Sequence, residues 1–173
     1  MALTIRHAQF PEDKNFILTL FAAYAESLGI DLSFQNFDAE LTSFPGKYAS
    51  SEGGSLLVAE IHPNPTDPAS DRNANVDIPN QIIGCVALRR NTPVWCEMKR
   101  LYVIPQARKT GAGVNLIKAI IEQARELGYE GMRLDTLPEM AAAQKLYRRF
   151  GFEEVERYCE TPVDGTVLMG LRL

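Results

Sequence analysis

The chain has little of what metal sites and disulfide frameworks are made from. Three cysteines (Cys85, Cys96, Cys159) and two histidines (His7, His62) are spread over 173 residues. There is no C-x-x-C pair, and no grouping of His, Cys, Asp and Glu has zinc-ligand spacing, so no metal is expected. Three cysteines cannot all pair within one chain. Cys85 and Cys96 lie in strand-like apolar runs and read as buried thiols, which suits a reducing compartment. No apolar run approaches membrane-spanning length, and Met1–Arg6 carries no signal-peptide stretch, so a cytoplasmic protein with no membrane partner is expected. A basic excess is also missing. The net charge of −4 argues against nucleic acid as a partner, because that binding is driven largely by phosphate neutralisation. There is no internal repeat.

What the chain does have is an ordinary globular balance, 46% hydrophobic and 23% charged. At this length that supports one well-buried core and is short for two. Leu3–Ala8 reads as a first strand. Past Pro11, the residues Phe16, Ile17, Leu20, Phe21, Tyr24 and Leu28 recur on one helical face that ends near Gly29. Phe34, Phe37 and Leu41 mark a weaker helix that stops before Pro45-Gly46. Leu56–Ile61 and Ile82–Leu88 read as neighbouring strands. Between them, residues 62–80 hold Pro63, Pro65, Pro68 and Pro79 among small polar residues. This reads as a polar loop inserted in a hairpin, since neither flank alone has a complete core.

Val94–Ile104 reads as the long central strand. Val114, Ile117, Ile120, Ile121, Ala124 and Leu127 mark a helix closed by Gly128. A short strand at Met132–Asp135, a helix at Ala141–Phe150 ended by Gly151, and strands at Glu153–Cys159 and Thr166–Leu173 complete the order β-α-α-β-β-β-α-β-α-β-β. That order predicts one α/β domain over 4–173 with a mixed sheet.

Arg108-Lys109-Thr110-Gly111-Ala112-Gly113 sits between the central strand and the following helix. Free amides at a helix start and local backbone dipoles attract an anion, and the two glycines allow its close approach. With Arg108 and Lys109 adding charge, the loop points to a cofactor carrying a pyrophosphate. It is not a P-loop, because G-x-x-x-x-G-K-[ST] is absent. Gly111-Ala112-Gly113 also lacks the preceding third glycine of a dinucleotide fingerprint.

Three ordered signatures within about sixty residues resemble the GCN5-related N-acetyltransferase (GNAT) superfamily. Arg108–Gly113 matches its Q/R-x-x-G-x-G/A cofactor motif, and Glu97–Pro105 looks like its central fourth strand. Ala143–Phe152 resembles its A-x-x-L-Y-x-x-x-G-F ending. The resemblance implies a mostly antiparallel sheet flanked by helices, with two central strands splayed around the cofactor. It further implies acetyl-CoA as acyl donor, without a metal, and a primary amine of a small molecule or peptide as acceptor. A noncatalytic acyl-CoA binding or regulatory module is the alternative, and a homodimer stays open.

Residue by residue, the resemblance places the pantetheine arm against backbone groups of Leu101, Tyr102 and Val103. The pyrophosphate falls on Arg108, Lys109, Thr110, Gly111, Ala112 and Gly113. Glu97 matches the general base of several relatives. A carboxylate with an ordinary pKa near 4.3 needs a raised value or a relaying water for that work, and flanking Cys96 and Met98 suggest an apolar setting. The other reading of Glu97 is a strand carboxylate paired with Lys99, Arg100 or another cation. Tyr147 matches the tyrosine that protonates the departing thiolate, with a structural tyrosine as the competing reading. The family often carries asparagine where this chain has Met140, which cannot donate those hydrogen bonds. Asp135 reads as an amine-recognition residue, a partner of Arg133 or a backbone cap. Substrate discrimination is expected from the Phe16–Phe37 region and the segment after Tyr158.

Overall fold

Aliphatic runs broken by glycine and proline turns become strands here, and amphipathic runs become the helices that cover them. The computed structural model describes residues 1–62 and 81–173. In chain order the elements are β1 (Ala2–His7), α1 (Lys14–Leu28), α2 (Phe37–Thr42), β2 (Ser55–His62), β3 (Gln81–Arg90) and β4 (Trp95–Val103). They continue with α3 (Ala112–Glu126), β5 (Gly131–Thr136), α4 (Ala141–Arg149), β6 (Glu153–Glu154) and β7 (Val167–Arg172). Short 3₁₀ turns at Ser33–Gln35, Gly46–Tyr48 and Pro105–Ala107 link them. The element order is the one expected. Beyond His62, which ends β2 and pairs with Ala2, the loop expected at 62–80 lies outside the described residues. No helix among the described residues is long and apolar enough to cross a membrane.

The strands form one sheet in the order β1-β2-β3-β4-β5-β7-β6. All neighbours are antiparallel except β4 and β5, which are parallel. One face packs on α3, where Leu116, Ile117, Ile120 and Ala124 are fully buried against Val86, Leu88, Cys96 and Met132. The other face packs on α1 through Ile17, Leu20 and Phe21, together with Phe44, Tyr48, Val58 and Cys85. Phe16, Val114 and Leu127 lie at the margins of their helical stripes and are exposed. Gly29, Gly128 and Gly151 adopt φ of 63°, 81° and 93° just past the three longest helices, so each ends where a left-handed residue was expected.

Two departures shape the site. The strand expected over Glu153–Cys159 lasts two residues. After Val155 donates to the Leu168 carbonyl, the chain leaves the edge, and Tyr158 crosses to donate to Glu97 Oε1 at 3.3 Å. The second departure is in β4. Its register against β3 slips between Cys85 and Ala87, and Arg100 at that bulge takes φ 58°. The left-handed region costs a non-glycine residue about 1–2 kcal/mol. Arg100 is held there by Glu40, whose Oε1 and Oε2 accept from Nε at 3.0 Å and Nη2 at 2.6 Å. Gln35 Oε1 accepts from Nη1 at 2.8 Å, and the guanidinium lies 5.1 Å from the Phe37 ring centre. The Arg100 side chain is 1% exposed.

Removing one partner of a buried ion pair leaves the other charge uncompensated. Glu40→Ala is expected to lower the unfolding free energy by about 3 kcal/mol, measured by urea denaturation. A loss under about 1 kcal/mol would show that α2 does not hold the bulge.

Candidate active site

Alternation along β4 decides which side chains meet the ligands. Before the bulge, Cys96 and Met98 join the α3 core, so Glu97 and Lys99 point to the α1–α2 face. The extra residue at the bulge shifts the phase. Arg100 also reaches the α1–α2 face, Leu101 and Val103 pack on the α3 side, and Tyr102 packs on the α1 side. The flanking Cys96 and Met98 therefore give Glu97 no apolar surroundings.

Past the same point the sheet opens. β4 and β5 pair only at Trp95↔Gly131, Cys96↔Met132 and Glu97↔Arg133. From Met98 onward the β5-facing edge of β4 has no strand partner, which is the splay the sequence implied around Leu101, Tyr102 and Val103. A narrow cleft lies in the opening, lined among others by Tyr24, Leu101, Thr136, Met140 and Tyr147.

At the end of β4 the 108–113 loop turns into α3. Lys109 and Gly111 have φ of 70° and 89°, the first following an extended Arg108 and the second capping α3. Asn115 N is the first helical donor, bonding to the Gly111 carbonyl. The amides of Gly113 and Val114 thus remain available, as first-turn amides do. Arg108 and Lys109 are exposed beside them. The Thr110 hydroxyl is used internally, donating to the Ala107 carbonyl at 2.7 Å, and Ala112 buries its methyl. These two offer backbone only.

Tyr147 is 7% exposed and its ring packs edge-on against Phe152, 5.9 Å between centres. Its hydroxyl has no hydrogen-bond partner among the described residues. Burial, followed by the Tyr24 and Asp135 charges, pushes the phenol above its ordinary range, so it keeps its proton. Thr136 Oγ1 is buried with no partner among the described residues, an orphan donor in a residue lining the cleft. Buried hydroxyls usually have a partner, in the protein or outside it. Met140 lines the cleft without a polar group, while Gln144 Nε2 ties the preceding turn by donating to the Leu137 carbonyl at 2.8 Å.

Next to the cleft lies a cavity of about 450 Å³. Its floor is the sheet face bearing Arg89, Glu97, Lys99 and Asp135, and its walls come from residues 35–48 and 159–161. The expected discrimination segments are there in part: Gln35 and the stretch after Tyr158 line it, whereas Phe16 does not. Glu97 is 2% exposed. Its Oε2 takes Arg89 Nε and Nη2, both at 2.9 Å. Its Oε1 has only Tyr158 at 3.3 Å and Lys99 at 3.6 Å. The cation partners of Glu97 are thus Arg89 and Lys99, not Arg100. Lys99 Nζ donates to Asp135 Oδ1 at 2.8 Å. Burial pushes the Asp135 carboxyl up, but the Lys99 charge and hydrogen bond outweigh it and hold the group below its usual range. Arg133 instead stacks on Trp95 and Tyr158, at 4.5 and 5.0 Å from their ring centres. Lys99 and Asp135 line both the cleft and the cavity. Neither Arg89 nor the cleft-lining Thr136 carried a signal in the sequence. Among the described residues no group of three His, Cys, Asp or Glu side chains could hold a metal ion.

The model of the acetyltransferase (GNAT) family matches residues 37–152. An uncharacterized N-acetyltransferase of Schizosaccharomyces pombe is 35% identical over 172 residues, 99% of this chain and 95% of that protein. Among solved structures, a GNAT-family acetyltransferase from Staphylococcus aureus Mu50 superposes with a TM-score of 0.73 at 19% identity, covering 99% of each chain. A GCN5-related N-acetyltransferase from Kribbella flavida gives 0.69 at 20% identity, covering 99% of this chain and 98% of the other. A bulged fourth strand parting from the fifth, an amide-lined loop at its end and sequence likeness along its length agree: the chain belongs to the acetyltransferase (GNAT) family.

Proposed function

We propose that the protein transfers an acetyl group from acetyl-CoA to a primary amine bound in the 450 Å³ cavity. The observation that carries this reading is the shared boundary. Lys99 and Asp135 line both the cleft beside the amide-rich loop and the charged cavity, so a thioester and an amine would meet there. Acetyl-CoA supplies an activated acyl group. Arg108, Lys109 and the amides of Lys109, Gly111, Gly113 and Val114 hold its pyrophosphate, while the open edge at Leu101–Val103 and the Thr136 hydroxyl take its amide arm. Thr110 and Ala112 take part through backbone.

Attack requires an unprotonated amine. Glu97 accepts its proton at Oε1, the oxygen with only long contacts, while Arg89 fixes the carboxylate through Oε2. Tyr147, kept protonated by burial, donates to the departing sulfur. Because its phenol titrates above the ordinary range, this donor is retained through the mildly alkaline pH at which more of the amine is neutral. Acceptor-dependent release of CoA thiol tests the reading. Saturable acetyl-CoA binding with no such release across a broad amine panel would leave a noncatalytic acyl-CoA module in its place.

Three substitutions separate the parts. Tyr147→Phe keeps the ring packing and is expected to lower turnover about 10-fold or more with little change in acetyl-CoA affinity. Equal turnover at every pH would remove the donor role. Glu97→Gln should produce a defect that shrinks as pH rises towards the pKa of the acceptor amine, whereas a purely structural carboxylate would give a pH-independent loss. Thr136→Val should weaken acetyl-CoA binding about 2- to 10-fold by calorimetry without lowering the melting temperature, since the hydroxyl lost has no protein partner. An unchanged Kd would exclude Thr136 from the cofactor.

A further inference from the structure

The acceptor's chemistry can be read from which polar groups around the cavity are already spent. Its carboxylates are heavily engaged. Glu40 accepts from Arg100 through both oxygens and from the Tyr48 hydroxyl at 2.6 Å. Asp135 takes Lys99 at 2.8 Å and Gln35 Nε2 at 3.3 Å. Glu97 takes Arg89 through Oε2. The cations are less fully spent. Arg89 commits Nε and Nη2 to one carboxylate oxygen, and its Nη1 has no partner among the described residues. A guanidinium carries five N–H donors, so a forked edge is left over. Lys47, on the Gly46–Tyr48 turn that packs against β3, forms no ion pair among the described residues and lines the same cavity as Arg89. Glu160, at the exposed rim, is the lining carboxylate that forms no ion pair among the described residues.

Arg89 lies opposite Glu97 in the β3–β4 register, and Lys99 is two residues further along β4 towards the cleft. The unspent cationic edge therefore adjoins Glu97, the carboxylate at which the amine must lose its proton. We infer that the acceptor is an amine carrying its own carboxylate, of the amino-acid or small-peptide type, with the carboxylate held by Arg89 and Lys47. A planar two-oxygen anion matches one free guanidinium edge and one ammonium. A polyamine would instead place further positive charge over Arg89, Lys99 and Lys47, with one exposed carboxylate at the rim to offset it. The inference rests on the acetyltransferase reading above and names the substrate class of that site.

The test compares matched acceptors: amino acids and dipeptides, their C-terminal amides, the corresponding decarboxylated amines, and polyamines. CoA thiol release is followed for each. Carboxylate-bearing acceptors are expected to exceed their amides in kcat/KM by at least about 10-fold. Lys47→Met and Arg89→Lys, the latter keeping a charge for Glu97 while losing the free edge, should each narrow that ratio several-fold, chiefly through KM. Amides, decarboxylated amines or polyamines turned over as well as the acids would overturn the class while leaving the acetyltransferase reading intact. If no amine releases thiol, that reading fails, and calorimetry of the same pairs with CoA present decides the subsite alone. Carboxylate-dependent binding lost in Lys47→Met supports it, and equal or absent binding of acid and amide overturns it.

Discussion

The site depends on holding one arginine in an unfavourable backbone conformation. Arg100 occupies the left-handed region inside a strand, where an arginine has no intrinsic reason to be, and Glu40, Gln35 and two aromatic rings keep it there. With the bulge in place, β4 changes phase. Glu97 and Lys99 face the cavity, while Leu101 and Val103 turn their side chains to the α3 core and leave an open edge towards β5. A regular strand would carry its alternation straight through. Its pairing with β5 could then continue, closing the cleft that Thr136 and Tyr147 line. The ion pair between α2 and β4 thus sets the geometry of the cleft and the cavity at once.

The sheet face also handles charge economically. Buried cations and carboxylates alternate across it as Arg89, Glu97, Lys99 and Asp135, each within reach of an opposite partner. Such a floor can accept or release a proton without leaving a lone charge in an interior of low polarity. Its arrangement is directional. The fully paired Lys99–Asp135 end abuts the cleft, and the underused Arg89 edge lies at the other end.

Contiguous features were legible in the sequence, and features assembled from distant segments were not. The order of elements, the helix-ending glycines and the 108–113 loop are local patterns, and the fold reproduces them. The splay was implied by resemblance and is seen in the short β4–β5 pairing. Partners were harder. Glu97 could be recognised as a carboxylate in a strand, but its surroundings depend on Arg89 across a hairpin and on Tyr158, 61 residues away. That crossing is also why the strand expected over Glu153–Cys159 stops early: its side chains serve the cavity rather than the sheet edge. Phe16 and Leu127 show the limit of periodicity. A helical face predicts burial at its centre, while its margins depend on how far the neighbouring elements extend.

The walls of the cavity come from short turns and a segment that abandons its strand, whereas the floor and the 108–113 loop come from the central strands and the start of α3. Substitution or a change of length in residues 35–48 or 159–161 would reshape what the cavity admits while leaving the 108–113 loop in place. The two halves of the site are therefore separable as units of inheritance. A lineage built on this scaffold can reshape the cavity by altering its margins, keeping the central strands and the 108–113 loop as a fixed inheritance.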